Sequence, residues 1–271
     1  NIGTTVTNTI VSLGHMRLRK EFELAFTGAV VHDLFHLCAV IVFLPLEALF
    51  HPIQKVATFI SSCLVGVEGA TFSSPLKAIV KPVVKLLVKA GQCVVPNNQV
   101  LGILLILVAL GLLIFALSRM VKIMRGAVAQ RLETIVDRYL FTSTARAMVI
   151  GMLVTAVVQS SSVTTSVVVP LLGTGIVRLE AVFPYMMGAN IGTTITAILA
   201  SLVTGNPAAV TIALAHLTFN LFGTALFLPL RRLPIWMART LGKATARRRW
   251  IALAYVALVF FAIPGILILV F

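Results

Sequence analysis

The sequence is short of charge. Lys, Arg, Asp and Glu make up 11% of its 271 residues, against about 25% in an ordinary soluble domain. A surface so poor in charge does not stay dissolved, so a bilayer is the solvent that the composition fits. Acid is scarcest of all: Asp and Glu number 8 against 22 Lys and Arg, for a net charge of +14. Such an excess can mark a nucleic-acid binder. Here the basic residues stand in short blocks between apolar spans, which is the pattern of membrane topology, and no nucleic-acid partner is expected. Cysteine is nearly absent. Cys38, Cys63 and Cys93 are too few for a disulfide framework. Cys63 and Cys93 can pair if their loop is extracellular, and two idle thiols are the simpler reading. There is no signal peptide, no Asn-x-Ser/Thr sequon and no nucleotide or metal motif. Asn1 is not an initiator Met, so the chain reads as a fragment or a processed product.

Long apolar runs are plentiful. Mean hydropathy is +1.05. Val100–Ser118 holds 19 residues without a charge, enough at ~1.5 Å per residue to cross a hydrocarbon core of about 30 Å. Ile251–Phe271 is a second such run, and Thr27–Phe50 and Ala208–Leu230 are two more with polar interruptions.

The chain repeats itself. Asn1–Leu13 (NIGTTVTNTIVSL) and Asn190–Leu202 (NIGTTITAILASL) agree at 8 of 13 positions. Ala29–Leu46 then aligns with Ala213–Leu230, placing His32 on His216, Phe35 on Phe219 and Pro45 on Pro229. Such self-similarity marks two copies of one unit. Three basic segments orient them: Arg17, Arg19 and Lys20; Arg119–Arg138; and Arg231–Arg249. The positive-inside rule places all three in the cytoplasm. A re-entrant hairpin over Ala145–Gly175, a crossing at Val177–Leu202 and a return at Ala208–Leu230 satisfy the parity. The aligned helices then run in opposite directions, an inverted repeat.

The expected organisation follows. Residues 1–50 are the end of repeat 1, 51–99 an inter-repeat linker and 100–118 a transmembrane helix. Residues 119–143 are a basic cytoplasmic linker, 144–230 repeat 2, 231–250 a second basic linker and 251–271 a C-terminal transmembrane helix. In the inter-repeat linker Lys77, Lys81, Lys85 and Lys89 form one helical stripe. It is read as a solvated face, with an interfacial, anion-attracting helix as the alternative.

Hydroxyls cluster where they are costly. Gln159–Ser166 (QSSSVTTS) holds six hydroxyls and an amide in eight residues, expensive at membrane depth without partners. The apolar approach, about 15 residues, is too short to span alone. A helix broken at Gln159-Ser160-Ser161-Ser162 is expected, exposing backbone N–H groups and carbonyls. A second cluster, Asn190, Thr193, Thr194 and Thr196, has Gly188 and Gly192 beside it, and a second break is expected there. Its copy is Asn1, Gly3, Thr4, Thr5, Thr7, Asn8 and Thr9. None of the three segments contains Lys, Arg, Asp or Glu. An oxyanion bound there lacks a counter-charge worth on the order of 4 kcal/mol at ~4 Å and an effective dielectric of about 20. A co-bound hard cation held by these oxygens supplies it. Asp33 is the one acid well inside an apolar span. It is read as functional, binding a cation or carrying a proton, with pairing to His32, His36 or a distant Arg as the alternative. His32 and His36 lack a third ligand for a metal site.

At these residues the chain resembles the type II sodium/phosphate cotransporters (solute carrier family 34 and bacterial relatives). The carrying motifs are Gln159–Val163, Gly188–Thr194, Asn1–Ile10, Val31–Phe35 and Arg232–Gly242. The resemblance implies an all-α polytopic membrane protein of the cell membrane, an inverted-repeat secondary transporter with a re-entrant hairpin and broken helices. It implies Ser160, Ser161, Ser162, Thr4 and Thr5 against phosphate, and Gln159, Thr165, Asn190, Thr193, Thr196 and Asp33 toward sodium. Sodium is then a coupling ion, no other cofactor is expected, and Asp33 implies electrogenic transport. The first repeat's Gln-Ser-Ser-Ser is expected about 31 residues upstream of Asn1, by analogy with the second copy, so this chain alone is not expected to transport. The short Pro52–Asn98 linker points to a bacterial-type member. An enzyme is disfavoured, since Ser160–Ser162 has no nearby His or Lys base. A carrier for another oxyanion and an ion channel are the competing readings.

Overall fold

The computed structural model describes residues 2–64, 75–94, 98–127, 142–203, 206–263 and 265. Among them the secondary structure is entirely helical. A short 3₁₀ turn, Ile2–Thr5, leads into α1 (Val6–Leu13), then α2 (Arg19–Phe50), α3 (Pro52–Leu64), α4 (Pro75–Val94) and α5 (Asn98–Ala127). There follow α6 (Thr144–Val158), α7 (Ser161–Ser166), α8 (Val168–Gly173), α9 (Leu179–Val203), α10 (Pro207–Phe227), α11 (Arg232–Arg247) and α12 (Trp250–Ala257), which continues into a π-helical turn at Leu258–Ala262.

Helix α2 is the axis. Every residue from Ala25 to His36 is buried, as expected of a helix whose partners surround it. Phe22, Phe26, Val30, Val31 and Phe35 pack with Val168, Leu171 and Leu172 of α8 and with Phe183, Met186 and Met187 of α9. Beyond Ala39 the helix stays apolar but is uncovered: Ile41, Leu44, Leu49 and Phe50 are exposed. Apolar surface of this kind suits lipid. Among the described residues three helices are long and apolar enough to cross a membrane, Arg19–Phe50, Leu179–Leu202 and Pro207–Phe227.

Helix α2 ends at His51, in the left-handed region at φ 51°. Glu47 then turns its carboxylate to the next helix, accepting from Ile53 N at 2.7 Å and Gln54 N at 2.9 Å. This serves two donors at the start of α3 that have no partner within the helix, and favours negative charge at that end.

The structure corrects one expectation and adds detail to two others. The expected break at Gly188 and Gly192 is absent: α9 runs unbroken through both. Their lack of a side chain serves packing instead. A Cβ on Gly188 would collide with the carbonyl of Met148, one on Gly192 with that of Met152, and one on Gly151 with that of Tyr185. Helices α6 and α9 meet backbone to backbone, the close approach that small residues four apart permit in membranes. Residues 231–250, read as a basic linker, hold a helix. Helix α11 is amphipathic and buries Pro234, Ile235, Ala238, Gly242 and Thr245, packing on α2 with Gly242 against Thr27 and the carbonyl of Glu23. Finally, the helix expected at residues 100–118 extends as α5 to Ala127, into the segment read as linker. Lys81, Lys85 and Lys89 are exposed on α4, as are Val83, Val84 and Leu86. The side chains of Lys77 and Cys93 lie outside the described residues, and Cys63 is a free, exposed thiol.

Candidate functional site

The expected break at the hydroxyl cluster is present, and its chemistry is local. Helix α6 closes at Gln159, whose φ of 57° is left-handed and whose N–H still reaches Thr155 O at 2.7 Å. Left-handed backbone costs an ordinary residue roughly 1–2 kcal/mol, so a side chain larger than glycine here is a feature to explain. Ser160 is extended and caps α7, its Oγ accepting from Val163 N at 3.3 Å. Helix α7 therefore starts anew at Ser161, with Ser161 buried and Gln159, Ser160 and Ser162 half-buried.

Helix α7 leans on the first copy of the repeat. Thr165 Oγ1 lies 3.0 Å from Asn8 Oδ1 and 2.7 Å from Ser161 O. Ser166 Oγ lies 3.2 Å from Asn8 Oδ1 and also contacts Ser162 O. Tyr185 of α9 donates to Thr164 O at 3.3 Å. The second repeat's hydroxyl segment is thus wedged between α1 and α9.

Asp33 is fully buried on α2. Tyr255 donates to its Oδ2 at 3.1 Å, and Thr5 hydrogen-bonds the same carboxyl. The expected alternative partners, His32 and His36, are engaged elsewhere. His32 Nε2 lies 2.7 Å from Asn190 Oδ1, and Asn190 Nδ2 lies 3.1 Å from His36 Nε2. The two ring nitrogens are themselves 3.2 Å apart. Two N–H groups cannot face each other at that distance, so at these nitrogens one ring donates and the other accepts. Asn220 donates to the backbone carbonyl of Asn190 at 3.4 Å.

The sequence-predicted residues therefore divide. Gln159, Ser160, Ser161, Ser162 and Thr165 share the break and the helix that follows it. Thr5 and Asp33 are joined to each other, and through α1 to that helix. Asn190 instead holds the His32–His36 pair. Thr193 donates to Ala189 O at 3.1 Å and Thr196 to Thr193 O at 2.7 Å, bonds within their own helix that leave the oxygen lone pairs available. The side chain of Thr4 lies outside the described residues. Sequence reasoning missed Asn8 and Tyr255 as partners. Asn8 was visible within the repeated motif, whereas Tyr255 sits in an apolar run that gave no signal.

Fold and site define an all-α membrane protein built around a broken, hydroxyl-rich helix. The chain belongs to the Na+/Pi-cotransporter family, whose profile matches residues 112–266. It is similar to sodium-dependent phosphate transport protein 2A of Ovis aries, at 32% identity over 98% of this chain and 53% of the relative. Protein 2B of Pongo abelii is 30% identical over 97% of this chain and 51% of its own length. Protein 2C of Rattus norvegicus is 29% identical over 97% and 57%. The chain spans about half the length of the curated relatives it matches. No solved structure matches it.

Proposed function

We propose that the chain is part of a carrier that moves inorganic phosphate across the cell membrane together with sodium. The observation that carries this reading is the break at Gln159–Ser160 in a chain of this family. It gathers hydroxyls and carbonyls at the start of α7 with no Lys, Arg, Asp or Glu in the segment. Phosphate is held there by Ser160, Ser161 and Ser162, with Thr4 and Thr5 from the first copy. Sodium supplies the missing positive charge, ligated by oxygens of Gln159, Thr165, Thr193 and Thr196. Asn190, which also holds the His32–His36 pair, belongs to the same sodium set.

The two copies form an inverted repeat, α6 to α8 form a re-entrant hairpin, and transport proceeds by alternating access. Asp33 binds a further sodium ion and makes the cycle electrogenic. Each elementary charge moved across the membrane then draws ~2.3 kcal/mol per 100 mV. The names of the relatives support phosphate and sodium as the substrates.

The test is radiolabelled phosphate uptake into proteoliposomes holding the full-length carrier, under an inward sodium gradient or the same gradient of choline. Saturable uptake with sodium alone is the expected result. Uptake indifferent to sodium would exclude coupling, and competition by sulfate or a carboxylate in place of phosphate would reassign the substrate.

A further inference from the structure

Helix α11 has two faces, and the fold uses one of them. Pro234, Ile235, Ala238, Gly242 and Thr245 are buried, on the side that docks on α2. The opposite face carries Arg232, Trp236, Arg239, Lys243 and Arg247, all exposed. Their spacings of three and four residues make one stripe of a helix. Arg248, Arg249 and Trp250, also exposed, follow directly. Residues 231–250 hold seven Lys or Arg and no Asp or Glu. The chain has two tryptophans, and both stand here, Trp236 64% and Trp250 61% exposed. A basic face by itself is content in water. Two large indole rings left uncovered among the cations are not, because removing such rings from water is favourable.

The position of α11 says what covers them. Arg231 Nη1 donates to Thr144 Oγ1 at 3.4 Å, at the first residue of α6. Arg239 Nη2 pairs with Glu180 Oε1 at 2.5 Å, in the first turn of α9. Helix α9 is long and apolar enough to cross a membrane, so α11 is pinned at the level where that span begins. Indole rings gather at this level of a bilayer, each with an apolar body and a polar N–H. Arg and Lys there lay their stems along apolar surface and extend their charges to the headgroups. We propose that α11 lies in the membrane surface and that its exposed stripe binds the anionic headgroups of phospholipids, with Trp236 and Trp250 seated at the edge of the acyl chains. Arg239 is held by Glu180, whereas among the described residues Arg232, Lys243 and Arg247 have no ion-pair partner, which leaves three cations for the lipid. The positive-inside rule makes the leaflet the cytoplasmic one, the leaflet whose negative surface attracts basic segments. Lipid on one face and α2 on the other order the same helix, so anionic lipid stabilises the docking of α11.

The test places the full-length carrier in nanodiscs of phosphatidylcholine and phosphatidylglycerol in equal amounts, with bromine on the acyl chains of one lipid or the other. The emission of Trp236 is isolated as the difference between proteins with and without Trp236→Phe. Brominated phosphatidylglycerol is expected to quench it about twofold more than brominated phosphatidylcholine, because the anionic lipid is enriched beside the stripe. With Arg232→Gln, Lys243→Gln and Arg247→Gln combined, the two lipids should quench equally. Phosphatidylglycerol should also raise the thermal midpoint of the wild type and not that of the triple variant. If the triple variant fails to fold, Lys243→Glu alone should weaken the preference. Equal quenching in the wild type, or a preference that these variants retain, would overturn the proposal. Quenching by neither lipid would place Trp236 in water against a soluble acidic partner, and would overturn it too. A preference erased by soluble glycerol phosphate at constant ionic strength would show a site for free phosphate esters and contradict the lipid assignment.

Discussion

Tyr255 donates to Asp33 across 222 positions of sequence, at 3.1 Å. The bond joins α12 to the middle of α2 and gives the buried carboxyl one of its donors. Replacing Tyr255 by Phe removes the donor and little else. A hydrogen bond to a charged group is worth roughly 1.5–3 kcal/mol. Tyr255→Phe is expected to lose stability in that range, read as a lower thermal midpoint. Asp33→Asn keeps the shape and removes the charge, so uptake should no longer accelerate when the vesicle interior is made negative.

Gln159 separates fold from function. Its left-handed backbone is one that glycine adopts freely. Gln159→Gly should therefore fold, with a thermal stability equal to or above that of the wild type by up to roughly 1–2 kcal/mol. Sodium-driven uptake should nevertheless fall at least tenfold, because the amide is lost from the break. A sharp drop in stability would instead show that the amide holds the turn together.

The α6–α9 seam yields a contrast between glycines. Gly188→Ala places a methyl group against the carbonyl of Met148, and overpacking of this kind costs typically 1–3 kcal/mol. Gly102→Ala in α5 meets nothing within 4 Å and should gain up to about 1 kcal/mol of helix propensity. Thermal midpoints of the two variants in one detergent should move in opposite directions.

Asn190 ties together two rings that otherwise have no shared partner. Asn190→Leu removes the amide from both rings and leaves His32 Nε2 and His36 Nε2 only their mutual contact at 3.2 Å. With each lost hydrogen bond worth about 0.5–1.5 kcal/mol, the variant should unfold at a lower temperature than the wild type. Asn190→Asp, which retains one acceptor, should recover part of that loss.

Much of this was legible in the sequence. The break at Gln159 followed from the density of hydroxyls beside a segment too short to span. The burial of Asp33 followed from its apolar flanks. The break foreseen at Gly188 and Gly192 failed because glycine permits two things, unusual backbone and close approach, and sequence alone does not say which is used. Here the carbonyls of Met148 and Met152 decide for close approach. The role of residues 231–250 was hidden because seven basic residues dominate the segment, masking the apolar stripe of Pro234, Ile235 and Ala238 that docks on α2. The link from Asn8 to α7 joins residues 157 and 158 positions apart, and no local pattern encodes it.

The most direct test is phosphate uptake by the full-length carrier carrying Ser161→Ala, beside Val163→Ala as a control on the exposed side of the same helix. The account predicts that sodium-driven uptake is lost in Ser161→Ala and retained in Val163→Ala, with both proteins equally stable. Unchanged uptake in Ser161→Ala would contradict it, because phosphate would then be bound somewhere other than at the start of α7.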